Sequence, residues 1–259
     1  MISLIRELMI AAVICDWNRT LFEDHYELEF FKGVLRLAAK VSLKELRLRN
    51  LHNLWKTSRR CEAIFQNALR LRKPAAIQKK LLVEALESIN QVAINKLPYD
   101  VFNKYLLEYA ITARDRLDYR VLRPLMKIRQ KHGVLLGIIS SGCDVAIMET
   151  LKVGGCFFDL VKANYFEHEN GKLKAFKLNI YDNKLKVLRA VLEEKTVELS
   201  RTVYIGDDWQ DEECLRAVQF PVVSFLAPHK IRVAFQEMFN AYAPNSEEEL
   251  EQWLHTISV

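Results

Sequence analysis

The chain is 259 residues long, half of them hydrophobic, with a formal net charge of +5. That length and apolar content allow a large core and suggest between one and two domains. Five cysteines (15, 61, 143, 156 and 214) are scattered without a CxxC pair, which argues against a disulfide framework or a zinc knuckle and for a reducing, cytoplasmic setting.

The N-terminal stretch is not expected to be a leader or a membrane span. After Glu7 the apolar run is about eight residues, against the roughly 20 a span requires, and it meets Asp16 without a small-residue cleavage site. Met9–Cys15 reads instead as a short buried strand that delivers a carboxylate, Asp16, where it stops. A turn-like Asp16-Trp17-Asn18-Arg19-Thr20 follows. From Glu23 to about Asp118, apolar residues recur at three- and four-residue spacing, the pattern of helices, with Pro74 and Pro98 as punctuation. Within this stretch, residues 41–80 hold eleven Lys or Arg against Glu45 and Glu62, a local balance of +9 that leaves −4 for the remainder. Such a block attracts anions. No RNA-binding signature or Cys/His finger accompanies it, so a solvated helical surface is the simpler reading and nucleic acid stays a secondary idea.

Past residue 119 the rhythm changes. Residues 121–133 read as a helix closed by Gly133. Val134–Ile139 is a continuous apolar run, as in a strand buried on both faces, and it ends at Ser140-Ser141-Gly142. Residues 146–153 suggest another helix. Residues 160–166 and 173–178 flank Asn170-Gly171, a strong hairpin signal. Lys184–Glu194 is a helix candidate, followed by a strand at 203–205, the acidic Gly206-Asp207-Asp208-Trp209-Gln210-Asp211, a strand at 221–225 and an acidic terminal helix. Strands alternating with helices predict an α/β fold, a Rossmann-like parallel sheet flanked by helices. Because the first strand precedes the helical block, residues 1–23 and 119–259 are expected to form one core, with 24–118 an inserted all-helical cap.

Open parallel sheets bind ligands at the carboxyl ends of their strands. Asp16, Ser140 and Asp207 stand at three such ends, and two acidic strand ends suit a hard cation such as Mg²⁺, which takes oxygen ligands. In this arrangement the chain resembles the haloacid dehalogenase superfamily, and within it the phosphoserine-phosphatase branch with a helical cap. The resemblance rests on Asp16-Trp17-Asn18-Arg19-Thr20, Ser140, Lys184 and Gly206–Asp211, in order and each at a predicted strand end or helix start. Lys177 and Lys186 compete with Lys184 for the lysine position.

The resemblance implies a Mg²⁺-dependent phosphatase acting through an aspartyl-phosphate on a small phosphorylated substrate. Asp16 would be the nucleophile. Mg²⁺ would be held by Asp16, the main-chain carbonyl of Asn18 and Asp207, with Asp208 and Asp211 orienting its waters or ligating. Lys184 would offset charge, while Ser140, Ser141 and Gly142 would hold phosphoryl oxygens. Thr20 would support the turn, and Arg19 would reach the phosphate or, slightly preferred, pair with Glu23 or Asp24. Trp17 and Trp209 are expected to pack beneath the site, and Cys15 and Cys143 to pack rather than react. Candidate cap residues are Tyr26, Lys56, Arg59 and Arg60. The family's usual acid–base aspartate is Asn18 here, which cannot protonate a leaving alkoxide, so either aryl or acyl phosphates are favoured over alkyl phosphates or a cap residue or water supplies the proton. Two other readings stay open: a binding or regulatory protein that uses its basic cap, and a carbon–phosphorus hydrolase, which also has Trp after the nucleophile but needs a reactive cap lysine. No feature specifies an oligomeric state.

Overall fold

Four apolar residues, Ala12–Cys15, form strand β1, buried throughout. A strand with no solvent face has to sit in the middle of a sheet covered on both sides, and β1 does. In the computed structural model, which describes residues 9–23, 27–44, 52–57, 59–60, 63, 83–84, 87–91, 93–180 and 183–258, six strands run in the order β4-β3-β2-β1-β5-β6. These are β2 (Leu135–Cys143), β3 (Leu160–Glu169), β4 (Lys172–Lys177), β5 (Thr202–Gly206) and β6 (Phe220–Val223). All neighbours are parallel except β3 and β4, which form an antiparallel hairpin. Asn170 (φ 51°) and Gly171 (φ 72°) make its turn in the left-handed region, as Asn-Gly predicts.

Alternation along the strands builds two apolar layers. Val13 and Cys15 of β1, with Val203 and Ile205 of β5, face helix α3 (Tyr119–His132), α4 (Asp144–Val153) and α8 (Glu247–Thr256). Ala12, Ile14 and Tyr204 face α5 (Lys184–Glu194), α6 (Glu212–Ala217) and α7 (His229–Phe239). Helix α3 ends as expected, with Gly133 at φ 67° capping it. No helix is expected from the sequence between the last strand and the acidic terminal helix, but α7 forms there and buries Ile231 and Phe235.

Between β1 and β2 lie the helical insertions, α1 (Glu27–Lys44) and α2 (Tyr99–Ala113) among the described residues. Gly33 lets them close: a Cβ there would lie 1.9 Å from the Tyr105 hydroxyl, which donates to the Phe30 carbonyl at 2.8 Å. Phe30, Phe31 and Phe102 pack with Phe166 and Phe176 of the hairpin. The two ends of the insertion run side by side. Asp118 N donates to Leu21 O (2.9 Å) and Glu23 N to Arg116 O (3.0 Å). Among the described residues no helix is long and apolar enough to cross a membrane.

The register sets the site. Cys15 lies opposite Ile138 of β2 and Ile205 of β5, so Asp16 leaves the sheet level with Gly206-Asp207. β2 continues past the predicted Ile139 to Cys143, its pairing with β3 interrupted by a bulge between those residues. A bulge re-aims side chains, and this one carries Ser140, Ser141 and Gly142.

Candidate active site

Asp16 emerges from β1 with 5% of its surface exposed. Its Oδ1 lies 3.0 Å from Lys184 Nζ. Lys184, the first residue of α5, is itself buried. A cation at a helix N-terminus opposes the macrodipole and a buried ammonium costs free energy unless paired, so carboxylates must compensate. Asp211 supplies the second, its Oδ1 accepting from Lys184 Nζ at 2.7 Å. Burial pulls the Lys184 pKa down, but the charges of Asp16, Asp211 and Asp208 prevail and hold it well above the ordinary lysine value. Of the three candidate lysines, Lys184 is the one that pairs with Asp16 and Asp211. Lys177 pairs with Glu167 on the hairpin instead.

Asp211 is the hub. Its Oδ1 also accepts from the Tyr204 hydroxyl (2.8 Å) and its Oδ2 from the Asp207 backbone N–H (3.1 Å). This folding-back depends on Gly206, where a Cβ would come within 2.6 Å of Asp211 Cβ and 2.7 Å of its Cγ. Tyr204 is a neighbour of the site that motif reading misses, and Gly206 and Gln210, which lie inside the acidic motif, are given no part by it. A tyrosine in a buried strand signals a hydroxyl in need of a partner, but nothing local identifies that partner.

Asp207 is buried, and Asp208 uses Oδ1 to accept from Gln210 N (2.7 Å), capping the 3₁₀ turn Trp209–Asp211. Carboxylate oxygens of Asp16, Asp207 and Asp211 lie within 4.8 Å of one another. Burial raises the carboxyl pKa of Asp16 and the Asp211 and Asp208 charges add to this, while Lys184 opposes; the result is about 7. Asp207 is pushed well above the usual carboxylate range by burial and then by Asp208, Asp16 and Asp211, with Arg19 opposing.

Arg19 corrects an expectation. Its preferred partners were Glu23 or Asp24; Asp24 lies outside the described residues, and Arg19 turns across the site instead. Its Nε is 3.0 Å from Asp207 Oδ2 and its Nη2 3.7 Å from Asp208 Oδ2. The backbone at Arg19 is left-handed (φ 49°), a conformation that favours glycine. The turn around it is held by the Trp17 carbonyl, which accepts from Thr20, Leu21 and Phe22 N–H groups at 3.3, 3.0 and 3.1 Å. Asn18 Oδ1 and Thr20 Oγ1 are buried without a hydrogen-bond partner, which marks polar capacity inside the cleft. Trp17 stacks on Phe22 and Trp209 packs edge-on to Phe235.

The Ser140 hydroxyl is buried and accepts from Gly142 N at 3.1 Å. Ser141 Oγ reaches Gln210 Oε1 at 3.4 Å, so the serine loop borders the acidic loop. Asn164, another residue missed by motif reading, braces it from β3. This fully buried amide donates to Ser141 O and accepts from Asn179 N (2.7 Å) and Ile180 N (2.9 Å). Cys15 and Cys143 are buried, and burial pushes the Cys15 thiol up, against reactivity. Lys56, Arg59 and Arg60 are exposed; Arg59 lies over the Trp55 ring and Arg60 is 3.5 Å from Glu84. Tyr26 and much of the basic block lie outside the described residues.

A search of curated proteins gives no significant match. Among solved structures, a substrate-bound phosphoserine phosphatase complex is similar at 14% identity and a TM-score of 0.58, over 95% of this chain and 98% of that one. A family hydrolase from Salmonella enterica serovar Typhi is 20% identical with a TM-score of 0.59, over 97% and 73%. Cytosolic 5'-nucleotidase IIIB bound to cytidine is 10% identical with a TM-score of 0.63, over 97% and 87%. At such identities these likenesses describe the fold alone. The model of the haloacid dehalogenase-like hydrolases matches residues 13–216, from β1 past the acidic loop. The chain belongs to the haloacid dehalogenase-like hydrolase family.

Proposed function

We propose that the protein is a Mg²⁺-dependent phosphate monoester hydrolase in which Asp16 is the nucleophile, acting on a small phosphorylated metabolite or an aryl or acyl phosphate. The observation that carries this reading is the buried Asp16 carboxylate, 3.0 Å from Lys184 Nζ and within 4.8 Å of a carboxylate oxygen of Asp207, just past the end of the neighbouring strand. A carboxylate oxygen of Asp16 attacks phosphorus, the ester oxygen departs with its bonding pair, and water then cleaves the aspartyl-phosphate. Lys184 offsets the negative charge of the incoming phosphate. The Ser140 hydroxyl and the Ser141 and Gly142 backbone hold phosphoryl oxygens, with Asn164 as the brace.

The residues fit a divalent cation. Among the described residues Asp16, Asp207, Asp208 and Asp211 meet two cations, Lys184 and Arg19, so with all four carboxyls ionised two negative charges are in excess. Burial first, and the neighbouring carboxylates after it, raise the pKa values of Asp16 and Asp207. Asp16, Asp207 and the main-chain carbonyl of Asn18 would hold the ion, while Asp211, with both oxygens engaged, supports Lys184 and the loop. When bound, Mg²⁺ would screen Asp16 from the phosphate and offset charge on the transferring group.

Asn18 sets the substrate preference. An amide cannot donate a proton to a leaving alkoxide, and losing general-acid assistance costs on the order of 10²–10⁴ in rate. The loss is smallest for groups that depart as stable anions. In this reading residues 24–118 form a cap that excludes water from the site; the side-by-side segments at 21–23 and 116–118, joined by an antiparallel Phe22–Leu117 bridge, support those boundaries. A cytoplasmic setting goes with it, supported by the free cysteines 15, 143, 156 and 214.

The test is turnover of an aryl phosphate and a metabolite-phosphate panel with Mg²⁺, in the parent and Asp16→Asn. Activity in the parent that disappears in the variant is expected. A parent inert on every substrate, or an equally active variant, refutes the assignment.

A further inference from the structure

Resting on the reading that Asp207 is a metal carboxylate, we propose that Arg19 is an internal counter-cation of this site, which a divalent ion has to displace or repel before it can bind. Arg19 Nε lies 3.0 Å from Asp207 Oδ2, and its guanidinium extends toward Asp208 Oδ2 at 3.7 Å. Asp207 is almost wholly buried, so this guanidinium is its nearest positive charge in a cluster of like-charged groups. The contact is electrostatic rather than directional. Neither Arg19 Nε nor Asp207 Oδ2 has a hydrogen-bond partner in good geometry, whereas bidentate arginine–carboxylate pairs gain both energy and specificity from alignment. A poorly aligned pair is one that an ion with a stronger claim on the oxygen can replace.

The backbone agrees. Arg19 holds φ at 49°, where a non-glycine residue pays a conformational cost, yet its side chain reaches inward over two acids. About a quarter of the side chain is exposed, although its Nε is buried. Whether it leaves or stays, its charge opposes a second cation on the same carboxylate. The sign is therefore fixed: Arg19 lowers metal affinity and keeps the acidic cleft partly neutral when no ion is held. Lys184 does not play this part, because it is held between Asp16 and Asp211 by contacts of 3.0 and 2.7 Å and does not touch Asp207.

The experiment is calorimetric titration of Mn²⁺ into the metal-stripped parent, Arg19→Gly, Arg19→Lys and Asp207→Asn. Glycine suits the left-handed backbone, so the first variant is expected to fold. The inference predicts at least tenfold tighter Mn²⁺ binding in Arg19→Gly, with Arg19→Lys, which retains the charge, staying nearer the parent. Unchanged or weaker binding in Arg19→Gly overturns it, as does lysine tightening binding as fully as glycine. Binding that Asp207→Asn abolishes while Arg19→Gly leaves it unchanged would overturn this inference alone. No Mn²⁺ binding in either the parent or Arg19→Gly would remove the metal reading and this inference together.

Discussion

Replacing Asp16 by Asn should stabilise the metal-free protein, and by more at alkaline pH than at acid pH. Burial and the neighbouring Asp211 and Asp208 charges put the folded Asp16 carboxyl at about 7, against an ordinary value of 3.8. The folded state thus holds this proton more tightly than the unfolded chain, and stability falls as pH rises between those two values. From about pH 5.5 to about pH 7 the interval is roughly 1.5 pH units, and at about 1.4 kcal/mol per unit the parent loses roughly 2 kcal/mol that the amide does not. The variant also deprives Lys184 of one partner. The attraction of Lys184 for ionised Asp16 is one of the causes that set the value of about 7, so it is already counted in this difference. Removing the Asp16 charge also eases ionisation of Asp207, which is raised partly by Asp16, and this adds with the same sign. The assay is urea unfolding in EDTA at about pH 5.5 and about pH 8. A variant whose stability relative to the parent is the same at both values, or lower at the alkaline one, refutes the reasoning.

Asn18→Asp should restore a proton donor and raise turnover of alkyl phosphates by on the order of 10²-fold or more, with aryl phosphates little changed; equal gains on both classes in steady-state assays would count against Asn18 as the source of the preference. Gly206→Ala should push Asp211 off the β5 turn, since the new methyl would meet its Cβ at 2.6 Å. The expected cost is about 1–3 kcal/mol in urea unfolding, together with weaker Mn²⁺ binding by calorimetry, and a variant matching the parent in both would show that the loop has slack.

The framework was legible because its signals are local. Ala12–Cys15 and Thr202–Gly206 are apolar runs short enough to be strands and followed at once by carboxylates, and Asn170-Gly171 can hardly be anything but a hairpin turn. Lys184 was readable from its place at a helix start, though Lys177 and Lys186 stood close enough to compete. What stayed hidden depends on parallel pairing between distant segments. Tyr204 meets Asp211 only after a 3₁₀ turn brings the chain back over Gly206. Asn164 meets Ser141 through the bulge in β2, twenty-three residues earlier in the chain. Arg19 has acidic neighbours in sequence, so a local pair was the natural expectation. The sheet places Asp207 and Asp208 beside it instead, and a half-exposed surface pair is worth little against a buried carboxylate in need of charge.

The acidic loop illustrates why a motif and its physical role can differ. In sequence Asp207, Asp208 and Asp211 look like three equivalent candidates for one cation, but folding separates them. Asp208 spends an oxygen on capping the turn, and Asp211 gathers Lys184, Tyr204 and the Asp207 backbone, tying α5, β5 and the loop together. Asp207 faces Arg19 most closely, at 3.0 Å against 3.7 Å for Asp208, with Asp16 nearby carrying a carboxyl whose pKa is about 7. Such a cluster is strained by like charges, and the strain is greatest where the chemistry would occur. An ion that binds the folded state and not the unfolded chain stabilises it in proportion to the logarithm of its concentration over Kd. On the proposed reading the same ion that readies Asp16 for attack would also relieve the repulsion among these carboxylates, so catalytic competence and stability would rise together with metal concentration.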